Sequence, residues 1–213
     1  MVRSKICGVT NEADLQAVAD AGADAVGIVT EVTVDTPREV APDRAADLVA
    51  AAPPFLSTVL VSMPDTATRA VELAGAVAPD AIQLHGEFDD EDVRYVRRET
   101  RADVITAVDA DDADRVRGYD GVADAILLDS TTEDGAGGTG ETHDWHAARA
   151  LVDDLATPVV LAGGLTPENV ADAARTVEPY AVDVSSGVER SGGEKDHEAL
   201  TAFVRNASAE VVS

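Results

Sequence analysis

Short apolar runs alternate with alanine-rich segments of helical spacing along the whole chain. The apolar runs predict strands at Ser4–Cys7, Ala25–Val29, Ser57–Val61, Ala81–Leu84, Val104–Ala107, Ala125–Leu128, Val159–Leu161 and Ala181–Val184. Most are apolar throughout rather than alternating, as expected of strands covered on both faces. Between them, apolar residues recur every three or four positions, which predicts helices. The first runs from Glu12 through Leu15, Val18 and Ala19; others centre on Ala45–Ala51, Ala67–Leu73, Asp92–Arg98, Ala113–Arg117, Trp145–Val152 and Asn169–Thr176, and a last one follows Lys195. Units spaced by roughly 25–30 residues match repeated βαβ elements.

Alternating strands and helices build either an open doubly wound sheet or a closed (β/α)8 barrel. Eight repeats favour the barrel, and 213 residues is at the short end for it. An open dinucleotide-binding sheet would carry G-x-G-x-x-G after its first strand, whereas the turn here reads Cys7-Gly8-Val9-Thr10-Asn11-Glu12-Ala13. With no low-complexity linker, the expectation is an α/β protein, one TIM-barrel domain over residues 1–213. Thr30–Pro37 and the glycine-rich Gly135–Gly140 are its extended loop candidates.

Composition narrows the class. Aromatic residues make up only 3% of the chain, so Ala, Val, Leu and Ile must build the core. No apolar run has membrane-spanning length and the N-terminus has no leader pattern, so a soluble, cytoplasmic protein without a membrane partner is expected. A single cysteine excludes an internal disulfide. The formal net charge is −25, and lysine occurs only as Lys5 and Lys195. The acidic residues are spread along the chain, which suggests adaptation to high salt, and no basic stripe exists to bind nucleic acid. The sequence leaves monomer or homodimer open.

In a barrel of this type, chemistry collects at the C-terminal ends of the strands. Those positions hold Cys7 after the first strand, Gln83 and His85 at the fourth, Asp129 at the sixth, Gly163 and Gly164 after the seventh, and Asp183, Ser185, Ser186 and Gly187 at the eighth. Each has an ordinary explanation alone: Cys7 as a small buried hydrophobe, His85 as a satisfied core histidine, Asp129 as a loop cap. Together, at successive strand ends, they suggest a site. Gly163-Gly164 and Ser186-Gly187 each precede a predicted helix, where free backbone N–H groups attract an anion, so a phosphorylated small molecule is the expected ligand. His143 and His146 flank Asp144-Trp145, but a helix start capped by Asp144 accounts for them better than a metal, and no other spacing suggests a metal or a cofactor.

The chain resembles the phosphoribosylanthranilate isomerase family. The resemblance rests on Lys5-Ile6-Cys7-Gly8-Val9-Thr10, Ala21-Gly22-Ala23-Asp24-Ala25-Val26-Gly27, Pro37-Arg38, Gln83-Leu84-His85-Gly86 and Leu128-Asp129-Ser130. It continues through Gly137-Gly138-Thr139-Gly140 with Asp144-Trp145, Leu161-Ala162-Gly163-Gly164-Leu165-Thr166-Pro167-Glu168-Asn169-Val170 and Val182-Asp183-Val184-Ser185-Ser186-Gly187-Val188-Glu189, in the family's order over nearly the whole chain. The resemblance implies a cofactor-free Amadori rearrangement of an aminoaldose to an aminoketose, with Cys7 as general base and Asp129 as general acid. It further implies that Arg38 pairs with the anthranilate carboxylate, that Gly164, Ser186 and Gly187 belong to phosphate loops, and that Gln83, His85, Gly138, Gly163, Asp183 and Ser185 join them around the substrate. The base role calls for a thiol pKa depressed by a positive neighbour such as Lys5 or the substrate's own iminium. Thr36, His143 and the segment Val61-Ser62-Met63-Pro64 depart from the family pattern. Another phosphosugar isomerase or epimerase of this fold, or a non-catalytic phosphate-binding barrel, are the alternatives.

Overall fold

The computed structural model describes residues 2–129 and 145–208. Its first half runs β1 (Arg3–Cys7), α1 (Glu12–Asp20), β2 (Ala25–Val29), α2 (Pro42–Ala51), β3 (Ser57–Ser62), α3 (Ala67–Val77), β4 (Ala81–Leu84) and α4 (Asp90–Glu99). Its second half runs β5 (Asp103–Asp109), α5 (Ala113–Gly118), β6 (Ala125–Asp129), α6 (Trp145–Asp154), β7 (Val159–Leu161), α7 (Val170–Val177) and β8 (Ala181–Val184). One 3-10 turn (Ser186–Val188), a short hairpin of β9 (Glu189–Ser191) and β10 (Glu194–Lys195), and α8 (His197–Ala207) complete it. β1 to β8 pair in parallel in sequence order, and β8 pairs back onto β1, so the sheet closes. A closed sheet has no free edge.

Strand residues alternate between two buried surfaces, which explains their continuous hydrophobicity. One row, including Ile6, Leu60, Ile82, Ile126, Leu128 and Val182, packs outward under the helices. The opposite row, including Cys7, Val59, Val61, Ile105, Leu127, Val160 and Ala181, fills the barrel interior. Cys7, Gln83, His85, Asp129 and Asp183 share the parity of the inward row, so the two-residue period of each strand aims them into the barrel.

Acidic residues do much of the local shaping. Asp89 caps α4 in a reciprocal capping box, and Asp196 caps α8 by accepting from the Glu198 and Ala199 amides. Three aspartates stand one residue before even-numbered strands and reach back to the odd strand before them. Asp24 accepts from the Ser4 amide at 2.8 Å, Asp80 from Thr58 at 2.8 Å, and Asp124 from Val104 at 2.9 Å. No helix among the described residues is long and apolar enough to cross a membrane.

One expectation changes. Ser186-Gly187 do not stand directly before a helix: a single 3-10 turn and a hairpin follow β8, and the last helix follows Lys195 as expected, beginning at His197. α7 begins at Val170, next to the expected Asn169, whose side chain accepts from the Thr166 amide at 2.8 Å and donates to the Gly164 carbonyl at 2.9 Å.

Candidate active site

The C-terminal mouth of the barrel holds a cavity of about 220 Å³. Cys7, Gln83, His85, Asp129, Gly163, Gly164, Asp183, Ser185, Ser186 and Gly187 all line it, together with apolar residues of the inward row. Arg38 stands outside this lining, and Gly138, His143 and Asp144 lie outside the described residues.

Cys7 ends β1 and is 8% exposed. Its neighbour in register is Gly27 on β2, where an added Cβ would lie 2.8 Å from the Cys7 sulfur. Glycine there makes the room that the thiol occupies. One inward step below, Lys5 pairs in register with Asp183 of β8, and its Nζ lies 3.0 Å from Asp183 Oδ2. Burial tends to lower the Lys5 pKa, but Asp183 and then Cys7 outweigh it, so the ammonium stays charged. Burial pushes the Cys7 thiol above its ordinary range, and Lys5 offsets this only in part. The thiol is therefore shifted opposite to the depression expected from the sequence: desolvation wins over one cation shared with Asp183.

On β4, Gln83 Nε2 lies 2.6 Å from His85 Nε2. With Gln83 as donor, that ring nitrogen accepts and the imidazole is neutral, in keeping with a His85 pKa that burial lowers against the opposing pull of Asp129. The Oε1 of Gln83 and the Oδ1 of Asp183 are buried without a hydrogen bond among the described residues. Both belong to side chains that line the cavity, so a polar ligand would satisfy them.

The opposite rim is glycine backbone. Gly163 and Gly164 sit at φ +88° and +60°, a left-handed pair that turns the chain directly after β7. Gly187 passes so close to the Leu165 carbonyl that a Cβ would overlap it. Ser185 donates from Oγ to the Cys7 carbonyl at 3.2 Å, tying this loop to the base of the thiol. The two loops thus border one edge of the cavity together, a glycine-rich rim of the kind that suits an anion.

Arg38 lies outside the lining, against Gly8. An added Cβ at Gly8 would be 2.7 Å from Arg38 Cδ, so the arginine stem crosses the residue next to Cys7. Its guanidinium forks onto Glu189, with Nε donating to Oε1 at 2.9 Å and Nη2 to Oε2 at 2.6 Å. Lys195, fully buried, donates to the same carboxylate at 2.7 Å. Neither Glu189 nor Lys195 stands at a predicted strand end, and the scarcity of lysine is the one signal in the sequence that points to either. Among the described residues no group of three or more His, Cys, Asp or Glu side chains is placed to hold a metal ion.

A closed parallel barrel whose thiol, carboxylates and glycine loops converge on one cavity at the strand ends defines the class: a (β/α)8-barrel enzyme. The sequence pattern of N-(5'-phosphoribosyl)anthranilate (PRA) isomerase matches residues 4–206, and the chain belongs to that family of isomerases. It is 58% identical over 211 residues to the N-(5'-phosphoribosyl)anthranilate isomerase of Halorubrum lacusprofundi, covering 99% of each chain. It also matches the crystal structure of a phosphoribosyl anthranilate isomerase in complex with reduced 1-(o-carboxyphenylamino)-1-deoxyribulose 5-phosphate, at TM-score 0.82, 36% identity and coverage of 97% and 98%. A crystal structure of mutually generated monomers of dimeric phosphoribosylanthranilate isomerase from Thermotoga maritima matches at TM-score 0.82 and 35% identity, again covering 97% and 98%.

Proposed function

We propose that the chain isomerises N-(5'-phosphoribosyl)anthranilate to 1-(2-carboxyphenylamino)-1-deoxyribulose 5-phosphate in tryptophan biosynthesis, with Asp129 as general acid and Cys7 as general base. The supporting observation is that one cavity is lined by both groups and by the paired glycine loops. Asp129 gives its proton to the furanose ring oxygen. The C1′–O bond breaks with its electron pair going to that oxygen, and the nitrogen lone pair forms a C1′=N iminium. The Cys7 thiolate then takes the C2′ proton; the C–H electrons form C1′=C2′ and the C=N pair returns to nitrogen. Ketonisation moves the proton held by Cys7 onto C1′ while the 2′-hydroxyl gives its proton to the Asp129 carboxylate, so both groups return to their starting states; the net change is ring opening with a hydrogen shift from C2′ to C1′, and no cofactor is needed. The iminium supplies the positive charge that Cys7 needs beyond Lys5.

The amides around Gly163-Gly164 and Ser185-Ser186-Gly187 take the phosphate, and Arg38 meets the ring carboxylate, a planar partner for its fork. The family membership supports a cytoplasmic location. The dimeric relative supports a homodimer. Here the surface for it is the exposed Phe55 with the mixed polar and apolar groove that it helps to line alongside Val49, Pro53, Leu56, Thr58 and Asp80, at the barrel end away from the cavity.

Turnover of freshly generated phosphoribosylanthranilate at molar KCl tests the assignment. Each proton transfer contributes about 10²–10⁴-fold, so Cys7→Ser is expected to lose several hundred-fold in kcat, and Asp129→Asn nearly all activity. Undiminished turnover in either variant removes that residue from its role.

A further inference from the structure

A second buried charge cluster adjoins the cavity, and two of its three residues have no part in the reaction as proposed. Lys195 Nζ donates to Glu189 Oε1 at 2.7 Å and to the Ser185 carbonyl at 3.2 Å, inside the loop that carries Ser186 and Gly187. Glu189 has a side chain only 4% exposed and is gripped from its other side by Arg38 through Nε and Nη2. That fork uses one edge of the guanidinium. Among the described residues the Nη1 corner has a single long hydrogen bond, 3.4 Å to Thr36 Oγ1, and the Arg38 side chain is 26% exposed. A guanidinium has two edges for bidentate pairing, so the Nη1/Nη2 edge remains for a second carboxylate.

The charge balance matters more than the geometry. Arg38 and Glu189 alone would cancel, and a neutral pair in a protein of net charge −25 offers little to an anionic ligand. Lys195 restores one net positive charge behind the fork. A buried ion triad is poor evidence of stabilisation, because packed apolar residues of similar volume commonly do as well. The cluster is also held firmly in place. An added Cβ at Gly192 would lie 2.6 Å from Pro37 Cγ, and one at Gly193, with φ +80°, would lie 2.6 Å from the Pro37 carbonyl oxygen. The β9–β10 hairpin therefore seats directly on Pro37, the residue before Arg38.

We propose that Glu189 and Lys195 are positioning residues for carboxylate recognition. Glu189 turns the free edge of Arg38 toward the cavity mouth, and Lys195 offsets the Glu189 charge so that Arg38 still attracts an anion. This rests on the reading of Arg38 as the partner of the substrate's ring carboxylate.

The test compares two substrates, phosphoribosylanthranilate and the analogue made with aniline, which lacks the carboxylate. Lys195→Met is expected to raise KM for the carboxylated substrate about tenfold, equivalent to about 1.4 kcal/mol, with kcat within threefold and KM for the aniline analogue unchanged. Glu189→Gln is expected to raise KM about three- to fivefold with the same selectivity, because the fork loosens while positive charge remains. The double variant Glu189→Gln/Lys195→Met returns the cluster to one net positive charge and is expected to match Glu189→Gln rather than Lys195→Met. Equal losses with both substrates, or no recovery in the double variant, overturn the proposal. If Lys195→Met does not melt cooperatively, the selectivity of Glu189→Gln decides. Arg38→Met separates the two readings: an unchanged KM for the carboxylated substrate removes the carboxylate role of Arg38 itself.

Discussion

Both lysines of this chain are buried, each against a buried carboxylate: Lys5 with Asp183 and Lys195 with Glu189. At residue scale, burial sets what each site group does. Cys7 was legible as a strand-end thiol, but its protonation was not, because desolvation depends on what surrounds it in three dimensions. The sign is clear. A thiol whose pKa is raised stays protonated at neutral pH, and its base form grows as pH rises. The free enzyme's kcat/KM should therefore still be climbing as pH rises above neutrality, while the kcat limb should lie at lower pH because the iminium favours the thiolate in the complex. A flat kcat/KM over that range would contradict the base role of a buried Cys7.

At element scale, the strands were readable almost to the residue because burial on both faces leaves uninterrupted apolar runs. The turn after β8 was not readable. Ser186-Gly187 reads as a helix start, yet the chain makes one 3-10 turn and a hairpin before α8. What decides it is contact with other loops, namely Glu189 with Arg38 and Gly192 with Pro37, both far away in sequence. Gly187 is the sharpest case. It faces the Leu165 carbonyl of the β7 loop, so any side chain must push the two glycine loops apart. Gly187→Ala should lower the melting temperature and raise KM for the phosphorylated substrate by about tenfold or more, since a misplaced amide loses its charge-assisted hydrogen bond. Binding of inorganic phosphate as a competitive inhibitor should weaken in parallel. Unchanged inhibition would mean that the loops hold no phosphate.

For the whole molecule, charge excess governs stability. There are 41 acidic residues against 16 lysines and arginines. Exposed pairs such as Arg94–Asp90 and Arg149–Asp153 use some of the excess, but each is worth only about 0–1 kcal/mol. Most carboxylates have no cation to meet, so their mutual repulsion outweighs the pairs that salt also weakens. Raising KCl to about 1 M shortens the Debye length to about 3 Å, and the melting temperature should rise steeply with it; a flat profile would count against salt adaptation. Association follows a different rule. Phe55, at φ +74° and fully exposed, stands out from the α2–β3 loop beside the groove it helps to line, the surface assigned to the proposed homodimer. Sedimentation at molar KCl should show a dimer that Phe55→Ser converts to an active monomer. A monomeric parent protein would overturn the homodimer.

The barrel and the identity of the groups at its strand ends are legible in the sequence. Alternation of strand with helix and uninterrupted apolar runs are local properties, and they place Cys7, Gln83, Asp129 and Asp183 at strand ends; because both faces of each strand are apolar, which face turns into the barrel is seen only in the closed sheet. Only the tertiary structure decided the protonation of Cys7, the pairing of Lys5 with Asp183, and the Arg38–Glu189–Lys195 cluster. Those depend on desolvation and on contacts spanning up to 178 residues of sequence, as between Ser185 and Cys7. Burial and long-range charge pairing have no local sequence period to reveal them.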